Sequence, residues 1–369
     1  MAGISMKELA GILGVSTASI SVALRGKPGI SEETRRRILT EAKNRGYDMS
    51  RLSMADSKGI IEIIDHTYYG YGRNPGDLFP YYSQFTDAAA AEIIRSGYTA
   101  AGPFPPAGIS PSERPEADGL LILGGGMTPG QLDAYINGPV PFVVAGNPLE
   151  DQPVTTVTHD NYYGICMTVT HLYEQGHRQI GYIQTLTGAP TRERYEAYVR
   201  ELSRRQLSAS SVWDFSGSAA ISTNASAAAA VNSAEAPSAA GPDHTAGSFL
   251  KAPDSTEALI ARMDQMLDAH PPMATAYICD NDFAAAAFMR VLRSHGFTPG
   301  KDIAVTGFDN QPFSALLEPP LTSVHTFEPE LAVCSVQQLI YTMEHPEFQF
   351  RHIKIGTKLV VRESTQTHV

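Results

Sequence analysis

Ser5-Met6-Lys7-Glu8-Leu9-Ala10-Gly11-Ile12-Leu13-Gly14-Val15-Ser16-Thr17-Ala18-Ser19-Ile20-Ser21-Val22-Ala23-Leu24 is the stretch on which the reading of this 369-residue chain turns. Ser5 can cap a first helix while Glu8, three residues on, reaches back in a capping-box pattern, and Met6, Leu9, Ala10 and Leu13 share one apolar face. Gly14 ends that helix, Val15 packs the turn, and Ser16 caps a second helix whose inward stripe is Ile20, Ala23 and Leu24. Its opposite face carries Thr17, Ala18, Ser21, Val22 and Arg25. Two short helices joined by a tight Gly-containing turn, with small and polar side chains outward on the second, suit a helix-turn-helix that lies in the major groove of duplex DNA. Thr17 to Arg25 is therefore read as a recognition helix. Spacing alone also suits a solvated helical hairpin capping another domain.

The residues after Leu24 favour the first reading. Gly26-Lys27-Pro28-Gly29 makes a loop, Ser31 caps again, and Glu32 to Arg45 reads as a third helix ending at Gly46, with Ile38, Leu39 and Ala42 inward. Charge is divided unevenly: residues 1–58 hold 10 Lys and Arg against 6 Asp and Glu, whereas the remainder holds 18 against 33, which together give the net −11. A basic head on an acidic body fits a polyanion-binding module joined to something that does not bind polyanions.

Composition also narrows the chemistry. Cys166, Cys279 and Cys334 are far apart with no paired spacing, which points to a reducing cytoplasm and away from disulfide or metal scaffolding. The opening residues read as a helix pair rather than a secretory signal, and no run of eighteen apolar residues is long enough to span a membrane. Gly124-Gly125-Gly126 follows a strand but does not complete a dinucleotide fingerprint, and no zinc-protease, hydrolase-elbow or phosphate-loop motif occurs. The eleven His show no metal-ligand spacing, so neither enzyme, metal nor cofactor is expected.

Residues 48–58 form a polar linker with Leu52 and Met54 as apolar candidates within it. From Gly59 the pattern alternates between apolar strands and amphipathic helices. Strands are expected at Gly59 to Ile64, Asp118 to Leu123, Pro141 to Ala145, Gln179 to Ile183, Ala274 to Ile278 and Ile303 to Phe308. Helices are expected at Tyr82 to Ser96, Tyr163 to Glu174, Thr191 to Arg204 and Phe283 to His295. Such alternation specifies parallel sheets with helices on both faces, here in two lobes with a cleft at the carboxyl ends of their strands. Two stretches resist it. Gly102 to Ala117 is so rich in Pro that a loop replaces the helix expected there. Ser216 to Ala252 has 20 Ala or Ser among its 37 residues and reads as a flexible surface insertion, or as an Ala-driven helix at Ala225 to Val231.

Ala10-x-x-x-Gly14-Val15-Ser16, Ile20-Ser21, Leu24-x-Gly26-Lys27-Pro28-Gly29-Ile30-Ser31-x-x-Thr34-Arg35 and Gly46-Tyr47 resemble the headpiece of the lactose/galactose repressor (LacI/GalR) family of bacterial transcription regulators. The likeness continues through Asp118-Gly119-Leu120-Leu121-Ile122, Asp160-Asn161-x-x-Gly164, Leu172-x-x-x-Gly176-His177-Arg178, Arg194-x-x-x-Tyr198, Asn281-Asp282, Gly307-Phe308-Asp309-Asn310 and Pro319-Pro320-Leu321-Thr322. The resemblance implies a small all-α helix-turn-helix headpiece (1–47), a hinge or linker (48–58), and a two-lobed α/β periplasmic-binding-protein-like domain of two doubly wound parallel sheets (59–366) that carries the Ala/Ser insertion at 216–252. Three crossings between the lobes are expected near His177, Val324 and Phe348. The function implied is that of a homodimeric repressor of double-stranded operator DNA, controlled by a small-molecule effector such as a sugar. The alternative is a ligand sensor whose headpiece no longer binds DNA, motivated by Val22 and the atypical linker.

For DNA, Lys7, Lys27 and Arg35 are the expected phosphate contacts. Thr17, Ala18 and Val22 fall on the family's base-reading positions. Val22 stands where the family usually has Arg and offers only apolar contact, for instance to a thymine methyl. Ser21 and Arg25 could equally touch phosphates, and Leu52 or Met54 could serve as the minor-groove wedge. For the effector, the resemblance assigns ring stacking to Tyr81 and Tyr82 and charged contacts to Arg194 and Asp282, with Asp160, Asn161 and Asp309 as weaker candidates. Trp213, the only Trp, suits either stacking or the core.

Overall fold

The computed structural model describes residues 4–24, 29–45, 47, 57–66, 80–104, 117–125, 127, 129–209, 211–216, 256–269 and 274–366. At the start, α1 (Met6–Leu13), α2 (Thr17–Leu24) and α3 (Glu32–Asn44) enclose one small core of Leu9, Ala10, Ile20, Ala23, Leu24, Ile38, Ala42 and Tyr47. Leu39 does not join it and stays 41 % exposed. Ile38 and Ala42, four residues apart, hold the inward line of α3, and Leu39 lies a third of a turn away.

The body is two six-stranded sheets. In the first lobe the strands are β1 (Ile60–Asp65), β2 (Thr99–Phe104), β3 (Gly119–Leu123), β4 (Phe142–Ala145), β5 (Thr156–His159) and β11 (His352–Ile355), ordered β11-β5-β4-β3-β1-β2 and all parallel. One face is covered by α4 (Pro80–Arg95) and α10 (Glu328–Glu344), which bury Phe85, Ala89, Ile93, Leu331, Val336 and Leu339 against Ile61, Leu121 and Val143. On the other face, α5 (Pro129–Ile136) sends Tyr135 against Phe142.

The second lobe has β6 (Ile180–Gln184), β7 (Val212–Asp214), β8 (Ala276–Cys279), β9 (Ala304–Asp309), β10 (Thr322–His325) and β12 (Lys358–Val360) in the order β12-β10-β9-β8-β6-β7. β12 runs antiparallel to β10, so this sheet is mixed at one edge rather than wholly parallel. Two helices cover each face: α6 (Asn161–Glu174) with α7 (Ala189–Arg204), and α8 (Thr256–Ala269) with α9 (Asp282–Ser294). Gly164 lets α6 lie close on the sheet, because a Cβ there would stand 2.9 Å from the Phe308 ring and 3.0 Å from Val324.

The three crossings are not near His177 and Phe348. The first is at Asp160, where the chain leaves β5 and enters α6 on the opposite lobe. His177 marks only the approach to β6, because the helix after β5 packs on the second sheet and not on its own. The second crossing, at Thr326 and Phe327, follows Val324 as expected, and the third is at Gly356 and Thr357 between β11 and β12. The crossings touch: the Asp160 amide donates to the Ile355 carbonyl at 2.8 Å and the Thr357 hydroxyl donates to the Asp160 carbonyl at 3.3 Å. Gly102 to Phe104 ends β2 rather than starting a loop; residues 105–116 and the Ala/Ser insertion from 217 onward lie outside the described residues.

Candidate functional site

The headpiece meets the geometric requirement for groove reading. Ser5 Oγ accepts from the Glu8 amide at 3.3 Å while Glu8 Oε2 accepts from the Ser5 amide at 2.8 Å. Gly14 closes α1 in the left-handed region at φ 65°, and the Ser19 amide donates to Ser16 Oγ at 3.0 Å. The two helices meet at 107°, the angle at which one can span the backbone while the other enters the groove. Thr17 and Ala18 are exposed at the start of α2, and Ser21 and Val22 are half-buried one turn on.

Two arginines of α3 hold that angle. Arg35 Nη1 donates to the carbonyls of Val22 and Ala23 at 3.4 Å each, and Arg37 Nη2 donates to the Leu13 carbonyl at 2.7 Å. The last carbonyls of α1 and α2 lack partners within their own helices and carry the negative end of the helix dipole, so a guanidinium satisfies both demands. Arg35 also pairs with Glu32 and its side chain is 15 % exposed. Arg35 thus reaches the C-terminal carbonyls of α2 from α3. Lys7 is exposed. Arg25, Lys27, Leu52 and Met54 lie outside the described residues.

In the body, the strand ends of the second lobe converge on Arg194. Its Nε donates to Asn161 Oδ1 at 2.9 Å, Nη1 donates to the Asp280 carbonyl at 2.5 Å, Nη2 stands 3.5 Å from Asp309 Oδ1, and the guanidinium stacks 3.7 Å over the Phe308 ring. Burial raises the Asp309 carboxyl well above the usual carboxylate range, against the pull of Arg194. Asp160 caps α6 by accepting from the Tyr163 amide at 2.8 Å. Beside it, His159 ends β5. Its ring is pushed down to about 3 by burial and by the Arg194 charge, so it is neutral around pH 7.

Several buried acceptors at these strand ends have no partner among the described residues: Asn147 Oδ1 after β4, Gln184 Oε1 at the end of β6, Asp214 Oδ2 at the end of β7 and Gln311 Oε1 after β9. Gln184 and Asp214 are register partners across β6 and β7. The carboxyl ends of the strands thus hold buried hydrogen-bond acceptors as well as one well-anchored guanidinium.

Comparison with known proteins agrees with this architecture. The model of the periplasmic binding protein-like domain matches residues 169–365, more than half of the chain. The chain is 26 % identical to the HTH-type transcriptional regulator MalR of Streptomyces coelicolor, over 98 % of this chain and 96 % of that one. It is 22 % identical to the HTH-type transcriptional repressor PurR of Mannheimia succiniciproducens, over 98 % of each. Among solved structures it resembles a complex of the regulator CelR with cellobiose, with a TM-score of 0.62 at 20 % identity over 98 % of this chain and 99 % of the other. A lac repressor dimer bound to operator and an anti-inducer is likewise similar, with a TM-score of 0.62 at 18 % identity over 99 % of both. The chain belongs to the lactose/galactose repressor family. It is a regulator by descent and not an enzyme.

Within this family member the expected effector residues divide. Asn161 and Arg194 meet directly, and Asp309 stands beside them. Asp282 does not join them. It is fully buried, and its carboxylate accepts from the Gln311 amide and the Ser314 hydroxyl at 2.6 Å and from the Ser323 hydroxyl at 2.5 Å, which fastens residues 311–314 and β10 to the start of α9. With three strong donors on two oxygens, Asp282 is a structural tie, and burial still lifts its carboxyl to about 6. Trp213 is 6 % exposed and packs edge-on to Phe288 and against Tyr277, the core arrangement of the two that its sequence allowed. Tyr81 and Tyr82 fall in the first turn of α4, and their side chains lie outside what is described. Reasoning from sequence missed Glu193 and Lys354. Glu193 Oε2 accepts from Asn161 Nδ2 at 2.8 Å, and Lys354 donates to Glu193 at 3.0 Å. Nothing local to either residue signals a pairing across some 160 positions.

Proposed function

We propose that this family member is a sequence-specific DNA-binding transcription regulator, a repressor, that works as a homodimer and is controlled by a hydroxyl-bearing small molecule, a sugar, held between its lobes. The observation that carries the reading is the joining in one chain of a capped helix pair at 107° with a strand-end site built on Arg194. Buried acceptor oxygens at Asn147, Gln184, Asp214 and Gln311, without partners among the described residues, suit a ligand rich in hydroxyl donors. Thr17, Ala18, Ser21 and Val22 would face the bases and Lys7 the phosphates, with Arg25, Lys27, Leu52 and Met54 as further contacts. Exposed apolar side chains at Phe283 and Leu316, with Phe313 packed 4.8 Å from Phe283, support a second copy seated on the second lobe. Residues 1–47, 48–58 and 59–366 are the corresponding headpiece, linker and sensing domain.

The test is binding to duplexes from the region upstream of the chain's own gene, at about 50 and 200 mM salt, with and without cellobiose, maltose, galacturonate and hypoxanthine. Binding that weakens steeply with salt and changes with one of the sugars is expected. Selection of no preferred duplex from a random pool, by a protein that one of these sugars nonetheless stabilises against heat, would replace the proposal with the sensor alternative.

A further inference from the structure

Among the described residues, one lysine pairs with carboxylates of both lobes. Lys354, on the edge strand β11 of the first lobe, lies 2.8 Å from Glu150 Oε1 of the same lobe and 3.0 Å from Glu193 Oε1 on α7 of the other. Glu193 uses its second oxygen to accept from Asn161 Nδ2, and Asn161 uses its Oδ1 to accept from Arg194 Nε. Both ends of the Asn161 amide are therefore engaged, which fixes its orientation. Asn161 is 2 % exposed and the Glu193 and Arg194 side chains are 18 % and 8 % exposed, so most of this line is shielded from water.

From this unbroken line of contacts we infer that Lys354 is a positioning residue for the Arg194 site. It carries the placement of the first lobe through Glu193 and Asn161 to the guanidinium that meets the ligand. The inference deepens the proposed effector site and rests on Arg194 lying in it. Its physical basis is twofold. The ammonium stands between two carboxylates of opposite lobes whose oxygens are within about 6 Å of each other, a separation at which two like charges near a protein surface repel appreciably. Removing the ammonium leaves Glu150 facing Glu193 unscreened, pushes the lobes apart and draws Glu193 off Asn161. Asn161 then loses the partner that fixes its amide, and Arg194 Nε loses a steady acceptor.

The experiment uses the full chain without any ligand, so that it stands or falls apart from the identity of effector or operator. Spin labels on unnatural residues at Asp133 in α5 and Arg293 in α9, both exposed, report the interlobe distance by pulsed electron resonance. The exchange rate of the Arg194 Nε proton, read by nitrogen-15 resonance, reports the site. Lys354→Met is expected to lengthen or broaden the distance distribution and to speed Nε exchange at least tenfold. Lys354→Arg, which keeps the charge, is expected to restore both, and Glu150→Ala added to Lys354→Met to restore the distance by removing the repulsion. A Lys354→Met protein whose distance and Nε exchange match the unsubstituted chain would overturn the inference. So would equal loss in Lys354→Met and Lys354→Arg, which would reduce Lys354 to ordinary packing. Glu193→Ala gives a second route to the same Nε readout and is expected to speed exchange while leaving Lys354 paired with Glu150.

Discussion

Arg35 shows how a charge can hold one helix against another. Its two bonds reach the last carbonyls of α2, so replacing it by Met is expected to lower the stability of the three-helix unit by about 1–2 kcal/mol, at the upper end for a cation at a helix terminus. Operator affinity should fall for every sequence alike, and amide exchange in α2 should quicken. Lys7→Gln, an exposed site, should instead leave exchange unchanged and reduce the salt slope of binding by about one. At the hinge, His159 makes a pH prediction. Its folded value near 3 lies below the ordinary 6.5 of a free imidazole, so the unfolded chain takes up the proton first. The stability that His159 contributes is thus whole above pH 6.5 and is lost as pH falls from there toward 3, at up to about 1.4 kcal/mol per pH unit. Comparing the acid limb of unfolding for the unsubstituted chain and for His159→Gln isolates this: the difference should shrink toward acid, and a constant offset would contradict it.

At the scale of elements, α1 and α6 carry separable tests. Ser5→Ala removes one half of a reciprocal cap and should cost about 1 kcal/mol, seen as a lower midpoint for the headpiece transition alone. Gly164→Ala forces a methyl to within 3 Å of Phe308 and Val324, so α6 must lift from the second sheet. Because Asn161 begins that helix, effector response should suffer together with stability, by about 1–3 kcal/mol in the latter. The headpiece was legible in sequence because its determinants are local: a hydroxyl and a carboxylate three residues apart, a glycine at the turn, an inward stripe every three or four residues. The long apolar strands β1, β3, β6 and β9 were legible for the same reason. β4 and β8, four residues each, were legible too, because nearly every residue in them is apolar, whereas β2, β5, β7, β10, β11 and β12 were not, because polar, Gly or Pro residues interrupt their apolar runs and their place in the sheet is set by their neighbours. The cleft divided in the same way. Asn161 and Arg194 sit in recognisable motifs, whereas Glu193 and Lys354 are ordinary charged residues until the fold brings them together. Asp282 looked available because the sequence shows residue type and not what already occupies it.

For the whole molecule, the two lobes and their joints decide what a ligand can do. The three crossings at Asp160, Thr326 and Gly356 lie side by side, so one lobe can turn on the other through a few backbone angles while both cores stay intact. On the proposed function, ligand and operator affinities are then coupled by a single free energy, and each must alter the other by the same factor. Self-association belongs to this scale too. Leu316, 84 % exposed, should tolerate Glu with little change in the midpoint of unfolding at high dilution, yet Leu316→Glu is expected to shift the protein toward monomer in sedimentation and to weaken binding to a two-half-site operator. A dimer undisturbed by that change would move the contact elsewhere.

The sheet of the first lobe is assembled from both ends of the polypeptide: β1 begins at Ile60, but the edge strand beside β5 is supplied by His352 to Ile355, and α10, which covers one face, by Glu328 to Glu344. During synthesis the three-helix unit can therefore form as soon as Tyr47 clears the ribosome, while the first lobe has no finished sheet until His352 to Ile355 have emerged. A truncated product would carry the folded three-helix unit without either the sensing lobe or the second-lobe surface proposed to pair two copies.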